Sequence, residues 1–472
     1  PGSSGRGARL SQLLPFAAQH VGTVVGFVLA LLVISRVLRQ HSRPTTSIAW
    51  FLFMVLAPWV GVPAYLVFGG RKIRHRAGRK PDLHAGLSAP AAVSVLDDSA
   101  RRLVACGLPP PRPGNAMELL TDGTAAYERL LRLIDEAQRS IHLTTFILAD
   151  DVVGRSIVTR LAARARAGVE VRVLVDAIGS FGARAWRLRE ITRAGGEVGI
   201  FMPVLPLRRR WSANLRNHRK LAIFDGTIAL TGGMNLAQEY MGPPTRTARA
   251  RWIDTSAEVR GPAVGDLAQL FAQDWQFATN RPVDVVPSAA HAGGIPLQVA
   301  PNGPDVAGDP FYDVLTAAIH NARKRIWIVT PYFVPDEGLL RALALQARVG
   351  VDVRVVMPRH SNHRVADYAR NRLLRDLGRT GVRVFLHPTA MIHAKHIVID
   401  DRLAITGSVN MDARSLYLNY ELALFAYGDL ATGRDAGFIN ALLAQCDETL
   451  PPTPGFFGRW AEDLSWLLSP LI

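Results

Sequence analysis

Two stretches of this chain carry the same chemical groups at the same spacing: His218-Arg219-Lys220 with Asp225, and His393-Ala394-Lys395 with Asp400. Each is followed at equal distance by a turn of small residues and an asparagine, Gly232-Gly233-Met234-Asn235 and Gly407-Ser408-Val409-Asn410. A neutral imidazole is a competent nucleophile or general base near neutral pH. A buried ammonium is a compact charge for non-bridging phosphate oxygens, and an asparagine adds neutral donors. Two such sets, facing each other across a pseudo-twofold axis, suit nucleophilic displacement at a phosphodiester. One His-x-Lys would be weak evidence; a matched pair inside a longer repeat is specific.

The spacing says how the groups are aimed. Residues two apart on a strand project to one face, so His218 and Lys220, like His393 and Lys395, share a direction. The apolar runs Leu221–Phe224 and Ile397–Ile399 continue as strands. The catalytic set is therefore His218, Lys220, Asp225, His393, Lys395 and Asp400. Within it, Asp225 and Asp400 fall at strand ends before turns and are expected to hold local structure rather than touch substrate. Asn235, Asn410 and Ser408 are expected at the phosphate. Each histidine needs an acceptor on its second ring nitrogen. Asp254 and Glu421 each stand seven residues before a glycine on matched strand-like runs, and are assigned that orienting role. No metal-ligand spacing, Walker loop or dinucleotide fingerprint is present, so neither metal nor cofactor is expected.

The surrounding elements repeat as well. Ala165–Val175 matches Ala347–Met357, a helix stopping at glycine and running into a β-branched strand. Ser140–Thr145 matches Arg325–Thr330 as an earlier strand. Alternating strands and helices imply a mixed α/β sheet in each half. Two insertions distinguish the first half. The basic Arg208-Arg209-Arg210-Trp211 with Arg216 either gathers anionic headgroups or forms a solvated loop; the other holds Met241-Gly242-Pro243-Pro244.

The chain has 472 residues, 49% of them hydrophobic, a formal charge of +16 and two cysteines, Cys106 and Cys446. That length allows two or three domains, and the charge favours an anionic partner, nucleic acid or anionic lipid. The cysteines are too few and too far apart for a disulfide framework. Residues 16–35 and 47–68 carry no charge and are each about long enough to cross a bilayer. Pro58 and Pro63 also allow the second to be re-entrant. Eight basic residues outside the segments, against Arg36, Arg39 and Arg43 between them, place the large C-terminal part in the cytoplasm. The expected organisation is an anchor over 1–70, a linker over 71–114, repeats over 115–285 and 296–450, and an amphipathic helix over 451–472. Phe457, Trp460, Leu464, Leu467, Leu468 and Leu471 fall on one face of that helix. The stripe either lies in a membrane interface or packs on the catalytic domain.

Taken together, these residues resemble the phospholipase D superfamily and, within it, bacterial cardiolipin synthases. The likeness rests on Asn214–Lys220, Gly232–Tyr240, Thr330–Pro335, and Gly407–Ser415 through Leu418-Asn419-Tyr420-Glu421. Arg359–His363 lacks the acidic residue expected there. The resemblance implies an α/β fold of two phospholipase D-like repeats with pseudo-twofold symmetry, preceded by two N-terminal transmembrane helices. It implies transfer of a phosphatidyl group between two phosphatidylglycerol molecules, giving cardiolipin and glycerol. By analogy His218 is the nucleophile and His393 the acid/base. The implied partners are phosphatidylglycerol and cardiolipin in the anionic membrane of a bacterial cell, not nucleic acid; a homo-oligomer is compatible. A hydrolytic phospholipase D giving phosphatidic acid would use the same site, and a nuclease or a lipid-binding scaffold are the other readings.

Overall fold

The structure, a computed structural model, describes residues 51–57, 59–61, 97–182, 185–203, 215–243, 251–285, 290–306 and 308–468. The chain divides into two units, Pro1–Arg76 and Ala77–Ile472. In the first, residues 51–56 and 59–61 are helical. The first expected membrane segment and most of the second lie outside the described residues. Among the described residues no helix is long and apolar enough to cross a membrane.

The second unit is built on one fifteen-stranded sheet. Its first half comprises β1 (Arg112–Leu120), β2 (Ser140–Thr145), β3 (Glu170–Asp176), β4 (Glu197–Phe201), β5 (Leu221–Phe224), β6 (Ile228–Gly232) and β7 (Ser256–Arg260). The second comprises β8 (Ile295–Asn302), β9 (Arg325–Val329), β11 (Asp352–Pro358), β12 (Arg383–His387), β13 (His396–Ile399), β14 (Leu403–Gly407), β16 (Glu421–Tyr427) and β17 (Asp447–Glu448). A two-stranded ladder, β10 (Phe333–Val334) with β15 (Met411–Asp412), lies apart. From the centre outward the first half runs β1-β7-β6-β5-β2-β3-β4, and the second β8-β16-β14-β13-β9-β11-β12 before β17. The orders are equivalent, and the antiparallel β1–β8 pair joins them. The expected duplicated α/β fold is thus present as one sheet with a pseudo-twofold at its middle.

Local sequence explains the elements. Asp122, Asp151 and Asp336 cap their helices, accepting from the N–H groups of Thr124, Gly154 and Leu339. Gly168 and Gly350, at φ of 89° and 93°, end the repeated helices with the backbone that side chains disfavour. The strands behind them begin with alternating charged and apolar residues and end in buried apolar runs, Val173-Leu174-Val175 and Val355-Val356-Met357, where helices cover the sheet. Leu130, Ile141, Ile157 and Val173 fill the first core, and Phe311, Ile328, Val355 and Phe425 the second.

The expected linker ends early. Asp98–Ala105 is a helix capped by Asp97, and Leu103 and Leu108 are buried in the core of the second repeat. The apolar side of this short segment was hidden by its charged residues, three of the eight in the helix.

Candidate active site

Because β5 runs antiparallel to β2, and β13 to β9, the residues just before β5 and β13 lie at the carboxyl ends of β2 and β9. Open α/β sheets keep their sites at that edge. The His-x-Lys segments precede their strands rather than sit within them. Each is extended and held by the opposite half. Asn217 bridges Tyr420, with His218 N donating to Tyr420 O at 2.8 Å; Ile392 bridges Ile253, with His393 N donating to Ile253 O at 2.7 Å. Backbone pairing across the pseudo-twofold therefore sets both histidines.

The same pairing brings each carboxylate to the histidine of the other repeat. Glu421, opening β16, accepts from His218 Nδ1 at 3.0 Å. Asp254, just before β7, accepts from His393 Nδ1 at 2.6 Å. Each of the two carboxylates expected at a histidine thus contacts one through Nδ1, and in each ring the Nε2 faces no carboxylate. Burial pushes both carboxyls up, but the imidazoles and lysines outweigh it and hold them below the usual range.

Lys220 Nζ donates to His218 O at 2.7 Å, and Lys395 Nζ donates to His393 O. Lys395 also stands 2.8 Å from Nδ1 and 3.2 Å from Nε2 of its histidine. Burial lowers both ammonium groups, Lys220 to about 7 and Lys395 to about 8, while the two carboxylates pull the other way. Burial, and then Lys395, lower His393 to about 3; burial likewise lowers His218. Each lysine also acts on the histidine of the other repeat, so the four groups share one field. Burial thus favours the neutral form of both imidazoles and loosens the ammonium protons, and a nearby anion would act in the opposite direction.

Rings close the walls. Phe146 meets His218 edge-on at 4.9 Å, and Lys220 Nζ lies 5.6 Å from its centroid. Tyr240 stands edge-on to His393 at 5.0 Å, with Trp252 at 5.4 Å. Excluding water in this way strengthens every charge interaction inside.

The other expected residues divide. Asn235 accepts from Ile147 N at 3.1 Å, while its buried Nδ2 makes no hydrogen bond; the buried Asn410 leaves its Oδ1 without one. An unspent buried polar atom costs about 1–3 kcal/mol, so both suit a substrate oxygen or hydroxyl. Ser408 departs from its expected place at the phosphate. Its hydroxyl donates to Glu421 Oε2 at 2.5 Å, and its oxygen accepts from Leu422 N at 3.0 Å. Asp225 and Asp400 are not in the site. Both adopt φ of 52°, at the far ends of β5 and β13. Their carboxylates accept three consecutive backbone N–H groups, from residues 138–140 and 323–325. The basic insertion over 208–211 lies outside the described residues, but Arg216 is buried, 3.4 Å from Asp176 Oδ1. It is neither a solvated-loop residue nor a free headgroup ligand.

Sequence reasoning missed three supports. Arg219, fully buried, donates to Glu421 O at 2.9 Å and pairs with Asp274 at 2.7 Å. His396 joins Asp435 at 2.7 Å and Thr255, the neighbour of Asp254, at 2.8 Å. Gly233, the counterpart of Ser408, has no room for a side chain: a Cβ there would lie 2.1 Å from Asp254 Oδ1. Only this last had a signal, the Gly-Gly against Gly-Ser difference beside Asp against Glu. Among the described residues no three His, Cys, Asp or Glu side chains are grouped to hold a metal.

The comparisons agree with this geometry. The family described as "Cardiolipin synthase, PLD-like domain" matches residues 130–275 and 315–436, and "Phospholipase_D-nuclease N-terminal" matches 28–70. Cardiolipin synthase A of Pseudomonas aeruginosa is 33% identical over 446 residues, 91% of this chain and 89% of that protein. Cardiolipin synthase of Alkalihalophilus pseudofirmus is 31% identical over 479 residues, 96% and 94%. The crystal structure of phosphatidylserine synthase from Haemophilus influenzae shares the fold, with a TM-score of 0.60 at 16% identity over 80% of this chain and 100% of that one. A duplicated His-Lys site at the junction of two equivalent half-sheets, and relatives aligned over nearly the whole length, lead to one conclusion: the chain belongs to the cardiolipin synthase family of the phospholipase D superfamily.

Proposed function

We propose that this protein is a phosphatidyltransferase that makes cardiolipin and glycerol from two molecules of phosphatidylglycerol. The observation that supports the reading is the crossed pairing of His218 with Glu421 and His393 with Asp254, with each imidazole in the field of both lysines.

In this reading the phosphodiester lies between Lys220 and Lys395, with Asn235 and Asn410 at its oxygens. Its charge restores the lysine protons and raises the proton affinity of His393, which takes up a proton at Nε2 from solvent before the first step. His218 Nε2 attacks phosphorus, the P–O bond to glycerol breaks, and His393 Nε2 gives its proton to the leaving oxygen. Glu421 holds the positive charge that develops on His218. The glycerol hydroxyl of a second phosphatidylglycerol then returns a proton to His393 as its oxygen bonds to phosphorus and the P–N bond breaks. Cardiolipin leaves, and the histidines end as they began. The lysines and asparagines stabilise the charge of each pentacoordinate transition state. Ser408, Arg219, Asp225 and Asp400 act through other groups, as positioning residues.

The enzyme sits in the bacterial cell membrane through residues 16–35 and 47–68, with the repeats over 115–285 and 296–450 in the cytoplasm; the distribution of basic residues supports this orientation. The test uses purified protein in phosphatidylglycerol vesicles with EDTA. Cardiolipin and glycerol should appear in equal amounts, and His218→Ala and His393→Ala should each abolish both. Phosphatidic acid as main product would replace the reading with a hydrolase. Acid-quenched enzyme should carry labelled phosphatidyl on His218; label on His393 would exchange the two roles.

A further inference from the structure

The C-terminal helix Phe456–Leu468 is amphipathic in the reverse sense to a helix on a soluble protein. It packs on the helix Arg364–Gly378, and it turns polar residues inward. Glu462 is 5% exposed and ion-paired with Arg375, and Ser465 is 8% exposed. The apolar residues point away: Phe457 is 85% exposed, Trp460 66%, Leu464 59% and Leu467 67%. The described residues of the stripe, Phe457, Trp460, Leu464 and Leu467, therefore do not pack on the catalytic domain; the side chains of Leu468 and Leu471 lie outside the described residues. A buried ion pair fixes this rotation, because turning the stripe inward would strand the Arg375 charge.

Three observations say what covers this face. The exposed side chains are aromatic and aliphatic, with Arg459 on the same helix and Arg364 on its partner exposed and in no ion pair among the described residues. That mixture suits the boundary between acyl chains and anionic headgroups. The chain carries +16, so a second copy would be repelled where an anionic surface is attracted. The face is also continuous with the mouth of the site. The loop before Arg364–Gly378 meets Tyr332 through Asn362 Oδ1 at 2.6 Å and through the His363 ring at 5.3 Å. Tyr332 directly follows Thr330-Pro331 at the carboxyl end of β9, where the histidines lie. Val365 and Tyr368 extend the apolar exposure along that helix, and Phe181, 86% exposed, occupies the equivalent loop after β3 in the first repeat.

We propose that the outward face of Phe456–Leu468 docks flat on an anionic phospholipid surface and presents the mouth of the site to lipids in that surface. The inference rests on the proposed phosphatidyl transfer for its activity readout only. The test uses the full chain in phosphatidylglycerol vesicles. An environment-sensitive fluorophore on Leu467→Cys, in a Cys106→Ser/Cys446→Ala background, should shift to the blue and be quenched by nitroxide on the lipid acyl chains. The triple variant Phe457→Ser/Trp460→Ser/Leu464→Ser should turn over vesicle phosphatidylglycerol about tenfold more slowly. With short-chain phosphatidylglycerol below its micelle concentration it should stay within about twofold of the parent, since surface changes leave the fold intact. A probe that stays in water on vesicles, a probe buried by protein concentration without lipid, or an equal loss on both substrates overturns the proposal. A parent protein inactive on both substrates defeats the transferase reading instead, and the probe then decides the docking by itself.

Discussion

Gly233→Ala tests the site without touching any group that does chemistry. The added Cβ would lie 2.1 Å from Asp254 Oδ1 and 2.9 Å from both Cγ and Oδ2. Those atoms cannot remain, since carbon and oxygen need more than about 3 Å. The carboxylate must turn away, and the 2.6 Å contact to His393 Nδ1 is lost with it. His393 then lacks both its tautomer lock and the partner for its cationic form. Removing the equivalent carboxylate function from a serine protease triad costs about 10⁴-fold in turnover. With partial relaxation here, we expect a loss of about 10²–10⁴-fold, or roughly 3–5 kcal/mol in the barrier. The second repeat supplies the rescue. There the longer Glu421 coexists with Ser408, which donates to it at 2.5 Å. Gly233→Ser/Asp254→Glu copies that arrangement and should recover at least about tenfold over Gly233→Ser alone, a coupling of neighbouring sites. The assay is cardiolipin formation from phosphatidylglycerol vesicles, with thermal melts to show equal folding. If Gly233→Ala works within about threefold of the parent, the crossed carboxylate does not have the role argued for it.

Other expectations follow from single contacts. Asp400→Ala removes the acceptor of three backbone N–H groups and should lower stability by about 2–3 kcal/mol, while Asp400→Asn, which tolerates the positive φ, should lose less; both should keep turnover per folded molecule. Denaturant titration beside the activity assay reads both. Arg219→Met removes the buried cation between Asp274 and Asp305 and should destabilise by about 3–5 kcal/mol, seen as a lower melting temperature. For pH, the sign follows from the depressed ammonium groups. A bound phosphodiester favours their protonated forms and raises their pKa, so affinity for a non-reactive phosphatidylglycerol analogue should be greatest below pH 7. It should weaken as pH rises through about 7 to 8, where the empty site sheds the protons of Lys220 and Lys395. Calorimetry at pH 8 in buffers of different ionisation heat should show proton uptake on binding; no uptake would mean the lysines are charged before ligand arrives.

The sequence by itself determined the duplicated α/β plan, the two His-Lys sets with their downstream asparagines, and the two carboxylates that stand against the histidines. These were legible because each is a local pattern that occurs twice, and duplication turns a weak motif into an alignment. The far-end placement of Asp225 and Asp400 was legible for the same reason, since strand period and turn position are local quantities. Only the tertiary structure decided which carboxylate serves which histidine. Those contacts join residues 139 and 203 positions apart and cross from one repeat to the other; a repeat read along the chain does not say whether its halves complete themselves or each other. The diversion of Ser408 to Glu421, the burial of Arg219 and the bridge from His396 to Thr255 have the same origin. They depend on how much space a neighbouring side chain leaves, and close packing fixes that in three dimensions. The direction of the C-terminal stripe is the last example. Its period fixes one apolar face, but the ion pair between Glu462 and Arg375, made across two helices, decides that this face looks outward.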